Sequence, residues 1–141
     1  MSALPVTVLH VEDDDVDALA VERAFQRLDR APSLLRARDG DEALDILRGA
    51  DPVRRLTRPY FVLLDWSLPR MGGGEVLSQI RADRELRSTV VFVLTTSRSD
   101  VDRRTAYDHN VAGYLVKSEL SEELSARLSL IADYGRVVEL P

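Results

Sequence analysis

The chain has 141 residues, 45% hydrophobic and 30% charged, with a formal net charge of −5 and no cysteine. Its length suits one domain that buries roughly two-thirds of its unfolded surface. The acidic surplus argues against nucleic acid as a direct partner, and the absence of cysteine excludes a disulfide framework, a thiolate metal site and a cysteine nucleophile. No apolar run approaches the ~20 residues that span a bilayer. Met1-Ser2-Ala3-Leu4-Pro5 lacks the charged-then-apolar pattern of a secretory signal. The expectation is a single cytoplasmic domain over 1–141, with a core of about 5–134, a short tail at 135–141 and no membrane partner.

Residues 6–11, Val6-Thr7-Val8-Leu9-His10-Val11, are β-branched and apolar and read as a first buried strand. Four acids follow, Glu12 to Asp15. A helix comes next, with Val16, Leu19, Ala20, Ala24, Phe25 and Leu28 at helical spacing. Residues 34–38 form a more polar strand, nearer an edge. Asp39-Gly40 marks a turn, and a second helix carries Ala43, Leu44, Ile46 and Leu47 and closes at Gly49. Residues 50–59 read as a surface loop. The third strand, Phe61-Val62-Leu63-Leu64, is continuously apolar and runs straight into Asp65. A glycine-rich turn and a third helix to about Arg84 come next.

Residues 90–94 form a fourth buried strand ending in Thr95. The segment 100–110 has few apolar positions beyond Val101 and Ala106, so its helix should be loosely held. Residues 113–116 form the fifth strand, ending in Lys117. A last helix over about 121–134 presents Leu124, Leu128 and Ile131 on one face, preceded by Leu120, and the tail carries Val137, Val138 and Leu140. Five alternating strand–helix units predict an α/β, doubly wound parallel sheet with helices on both faces and strand order 2-1-3-4-5.

Four strands end in a polar or reactive group: Glu12-Asp13, Asp65, Thr95 and Lys117. Each has a plain structural reading. Acids before a helix cap it and satisfy its dipole, a strand-end Thr reflects β-propensity, and a lone Lys is solvated. None of these explains why all four recur at one edge, where open α/β sheets bind their ligands.

On Val11-Glu12-Asp13, Leu63-Leu64-Asp65-Trp66-Ser67-Leu68-Pro69, Thr95 and Tyr114-Leu115-Val116-Lys117, the chain resembles a response-regulator receiver domain over essentially its whole length. The long loop before strand three, Lys117-Ser118 and the apolar tail resemble the stand-alone receivers that partner bacterial phytochromes. The resemblance implies a phosphorelay switch rather than a turnover enzyme. Asp65 would accept a phosphoryl group from a sensor histidine kinase, of which a bacteriophytochrome is the kind this resemblance suggests. Mg²⁺ would be held directly by Asp13 and Asp65, through water by Glu12, and by the Ser67 carbonyl. Lys117 and Thr95 would contact the phosphoryl group, and Thr95 with Tyr114 would form the switch. The fourth helix, fifth strand and last helix would carry a homodimer, with the tail contributing. Many receivers have Pro after the strand-five Lys, often in a cis peptide. Ser118 stands there instead, so that loop is either trans or strained.

Two rivals remain at this point. An aspartate-nucleophile phosphatase needs a second acid two residues after the nucleophile, where Ser67 stands. A flavodoxin-like cofactor-binding module needs a Ser/Thr-rich phosphate loop after strand one, where four acids stand. Trp66 is expected to be exposed beside the site, Met71 and Gly72–Gly74 to be turn devices, and His10 and His109 to have no role.

Overall fold

The computed structural model describes residues 5–117 and 121–141. Strands β1 (Thr7–Val11), β2 (Ser33–Ala37), β3 (Tyr60–Leu64), β4 (Val91–Thr95) and β5 (Gly113–Val116) alternate with helices α1 (Asp15–Gln26), α2 (Gly40–Leu47), α3 (Gly73–Ala82), α4 (Asp100–Asp108) and α5 (Ser121–Val137). Every strand pair is parallel and the order is β2-β1-β3-β4-β5, as the alternation predicts.

Phe61–Leu64 of β3 and Val91–Leu94 of β4 are apolar at every position because both faces of the sheet are covered. Successive side chains point to opposite faces. Phe61 and Leu63 therefore pack with Val8, Phe92 and Leu94 under α1 and α5, while Val62 and Leu64 pack with Leu9, Val11, Val91 and Val93 under α2, α3 and α4. Phe61, Phe92 and Tyr134 stack edge to face at centroid separations of 5.4 and 5.2 Å, which ties α5 to the sheet. Burying each such side chain contributes about 1.5–3 kcal/mol.

Several elements depart from the sequence reading. In α1 the inward face is Ala18, Val21, Ala24 and Phe25, while Val16 and Leu19 are exposed at 77% and 42%. Two apolar sets share helical spacing there and overlap at Ala24 and Phe25, which are buried as expected; Ala18 and Val21 are buried in place of Val16, Leu19 and Ala20. Asp39-Gly40 is a helix start, not a free turn: Asp39 caps α2 by accepting from Glu42 N at 2.9 Å. Gly49, just beyond α2, has φ +73°, a left-handed conformation that glycine adopts without strain. Loop 50–59 is anchored by Arg54, which donates to Arg36 O, Glu42 and Asp51. The last helix runs three residues past the expected end. Val137 is exposed on it, and Leu140 folds back onto the domain's own core.

Helix α4 buries only Ala106 among its residues, in line with its weak apolar pattern. Its far end is held by Arg81, which donates to the carbonyls of His109 and Asn110 and also to those of Arg87 and Thr89. The Lys117–Ser118 peptide, Leu120 and residues 1–4 lie outside the described residues.

Candidate functional site

The sheet order places the carboxyl ends of β1, β3, β4 and β5 side by side. Glu12, Asp65 and Lys117 each stand one residue beyond a strand, and Thr95 closes β4. Asp65 continues the ladder, its N–H donating to Val11 O at 3.1 Å. The chain then turns so tightly that a Cβ on Gly73 would lie 2.5 Å from Asp65 O and 2.7 Å from Trp66 Cα. Gly73 N donates to Trp66 O at 2.9 Å. Only glycine lets α3 start against the Asp65 peptide, which gives the glycine turn a role in fixing the carboxylate. Ser67 N holds one oxygen of Asp65 at 3.2 Å.

The four acids after β1 divide their work. Asp14 is the cap of α1, its side chain accepting from Asp17 N at 2.9 Å. Asp15 pairs with Arg36 and Arg38. Glu12 and Asp13 turn to the site, where with Asp65 they place carboxylate oxygens within 4.8 Å of one another. Glu12 and Asp65 are buried and Asp13 is exposed.

Lys117 Nζ enters this cluster. It lies 2.8 Å from Glu12 Oε1, 2.9 Å from Asp17 Oδ2 and 3.4 Å from Asp65 Oδ2. Burial alone would lower the lysine's pKa, but the bonds to Glu12 and Asp17 and the charge of Asp65 hold it above its usual value. Glu12 is pushed up to about 7, first by burial and then by the Asp65 charge, with Lys117 pulling the other way. One ammonium among four carboxylates leaves the site short of positive charge. The donor set is hard oxygen, partly solvent-facing and partly buried, so these residues could hold a metal cation.

Thr95 is fully buried, and its hydroxyl accepts from Ser97 N at 3.3 Å. Ser97 is a junction: its carbonyl accepts from the Tyr114 hydroxyl at 3.0 Å, and its hydroxyl donates to Asp102 of α4 at 2.6 Å. The Tyr114 side chain thus already reaches the segment after β4. Trp66 is half-buried against the core, its ring 3.1 Å from where a Cβ on Gly74 would be, and is not the exposed flanking residue expected.

Asp17 and Ser97 escaped the sequence reading. An acid one turn into α1 looks like a dipole-satisfying residue, and a serine after a strand looks like a loop. His10, expected to have no role, is 1% exposed on β1. Burial, then the charges of Lys117 and Arg36, push it down to about 3, so it is neutral. Its Nδ1 has no hydrogen-bond partner among the described residues. His109 Nδ1 lies 2.9 Å from Thr105 O at the end of α4, remote from the site in sequence and element.

A doubly wound sheet of this order, with a buried carboxylate, an acidic pair and a lysine at adjacent strand ends, defines a receiver domain. Residues 8–129 match the response regulator receiver domain family, and the chain belongs to it. Among curated proteins it is 43% identical over 130 residues to the probable methanogenesis regulatory protein FilR2 of Methanothrix harundinacea, covering 92% of this chain and 83% of that one. Two solved structures are similar over nearly their whole length. The phosphorylated cyanobacterial phytochrome response regulator RcpA has a TM-score of 0.88 at 30% identity, covering 98% of this chain and 99% of that one. The manganese-bound form of response regulator Rcp1 has a TM-score of 0.85 at 32% identity, covering 97% and 99%. The phosphatase reading is not favoured, in agreement with Ser67, and four acids stand where a flavodoxin-like cofactor-binding module needs its Ser/Thr-rich loop.

Proposed function

We propose that this receiver takes a phosphoryl group onto Asp65 from the phosphohistidine of a sensor kinase. The observation that carries the reading is the buried Asp65 carboxylate, 3.4 Å from Lys117 Nζ and within 4.8 Å of the Glu12 and Asp13 carboxylates. A carboxylate oxygen of Asp65 attacks phosphorus, the P–N bond to the imidazole breaks, and an acyl phosphate forms. Ser67 N orients the acceptor through its other oxygen. Lys117 donates to a phosphoryl oxygen as negative charge gathers there. The Thr95 hydroxyl turns from Ser97 N to the phosphoryl group, and through Ser97 this change reaches Tyr114 and Asp102.

Asp13 and Asp65 would ligate Mg²⁺, and the Ser67 carbonyl would join them. Glu12, whose oxygens accept from Lys117 and Asp14 N, would act through water. The bound ion would supply the positive charge that the cluster lacks. A metal-bound Rcp1 supports this assignment by similarity.

The similarity to the cyanobacterial phytochrome response regulator RcpA supports a bacteriophytochrome-type kinase as partner. The net charge of −5 supports action without nucleic acid, here assigned to one domain in the cytoplasm. A homodimer through α4, β5 and α5 is supported by exposed Val101 and Tyr107 on α4 and Leu130, Tyr134 and Val137 on α5. Trp66, the chain's one tryptophan, adjoins Asp65 and reports on the site. Its fluorescence should respond to Mg²⁺ and change again with acetyl phosphate. In Asp65→Asn the second change should vanish. A second change that survives in that variant would exclude Asp65 as the acceptor.

A further inference from the structure

A lysine ammonium has three N–H donors and no acceptor. In this chain three carboxylates surround Lys117 Nζ: Glu12 at 2.8 Å, Asp17 at 2.9 Å and Asp65 at 3.4 Å. No donor is left for an incoming phosphoryl oxygen, so one carboxylate has to give way. Solvation decides which. The Glu12 side chain is 1% exposed and that of Asp65 6%, whereas that of Asp17 is 43% exposed. Stripping Glu12 of its cation would leave a buried charge unpaired, the costly outcome, while a released Asp17 is met by water. Asp65 carries the new group and stays beside the lysine.

We propose that Asp17 is a positioning residue that holds Lys117 poised in the resting site and exchanges it for the phosphoryl group on Asp65. This rests on the phosphoacceptor reading above. The exchange involves the side chain and not the helix. Asp14 still caps α1, and Asp15 remains tied to Arg36 and Arg38, while Arg36 also donates twice to Glu12 O. Asp17 thus opposes phosphorylation by the strength of one half-exposed ion pair. It also prevents Lys117 from settling wholly onto the acceptor before the donor arrives.

The test is beryllofluoride binding in the presence of Mg²⁺, followed by Trp66 fluorescence in wild type, Asp17→Asn and Asp15→Asn. Asp15 sits in the same first turn and carries the same charge but does not touch Lys117, so it corrects for the loss of one negative charge. Asp17→Asn should bind the anion about fivefold more tightly than Asp15→Asn, the scale of a partly exposed ion pair. Asp17→Ala serves as a second variant and should behave alike. In wild type the Asp17 Cγ resonance should shift on beryllofluoride binding as the carboxylate passes from lysine to water. Equal affinities for the Asp17 and Asp15 variants, or weaker binding without Asp17, would overturn the exchange. Failure of wild type itself to bind beryllofluoride would instead overturn the phosphoacceptor reading.

Discussion

Glu12→Gln isolates the charge deficit at the site. The Glu12 carboxyl is raised from 4.5 to about 7, chiefly by burial and then by Asp65, against the pull of Lys117. A folded value above the unfolded one means that the native state keeps a proton the unfolded chain has already lost. Stability from this group is therefore greatest at low pH and falls as pH rises from about 4.5 to about 7. At about 1.4 kcal/mol per unit the loss is about 3 kcal/mol.

His10 works the opposite way. Its folded value, about 3, is below its ordinary 6.5. Its contribution is complete above about 6.5 and lost as pH falls toward 3. The two slopes oppose each other between about 4.5 and 6.5, so the wild-type curve alone would mislead. The difference between wild type and Glu12→Gln cancels the histidine. Urea unfolding should be followed by Trp66 fluorescence across this range, with a chelator present. Wild type should lose about 3 kcal/mol relative to the variant between pH 4.5 and 7.5, and Mg²⁺ should recover much of it by binding only the folded site. A difference that stays constant with pH would refute the reasoning.

Three further outcomes follow from the same geometry. Metal-free Asp65→Asn should be about 1 kcal/mol more stable than wild type, because a carboxylate crowded by Glu12 and Asp13 is neutralised while Lys117 keeps Glu12 and Asp17; its melting temperature should respond to Mg²⁺ far less than that of wild type. Gly73→Ala should cost about 2 kcal/mol or more in urea unfolding, since the added Cβ meets backbone at Asp65 and cannot be relieved by a rotamer. Sedimentation should show a dimer at tens of micromolar that Leu130→Glu disrupts; a monomer at every concentration would remove the proposed α4–β5–α5 face.

Much of this architecture was legible because a strand buried on both faces leaves an apolar run that hardly varies. Phe61 to Leu64 and Val91 to Leu94 marked the sheet's centre, and the residue after each pointed to the site. The acids after β1 were harder. The strand end pointed to Glu12 and Asp13, but the sequence did not tell the cap (Asp14) from the arginine partner (Asp15), because both share one chemistry and the division depends on where α1 begins. Asp17 was hidden for the same reason, and its role depends on Lys117, a hundred residues away. His10 looked idle because strand alternation does not show that its face is closed by α1 and α5. The first half of α1 departs from its expected face because two apolar sets fit the same helical period, whereas Ala24, Phe25 and Leu28 pack inward as expected.

The most direct test of the central claim is intact-mass analysis after incubation with acetyl phosphate and Mg²⁺, run in parallel on wild type, Asp65→Asn and Lys117→Ala. Wild type should gain a single phosphoryl group that maps to the peptide containing Asp65 and disappears in alkali. Asp65→Asn should gain none, and Lys117→Ala should gain it far more slowly. An undiminished adduct on Asp65→Asn would contradict the assignment of Asp65 as the acceptor.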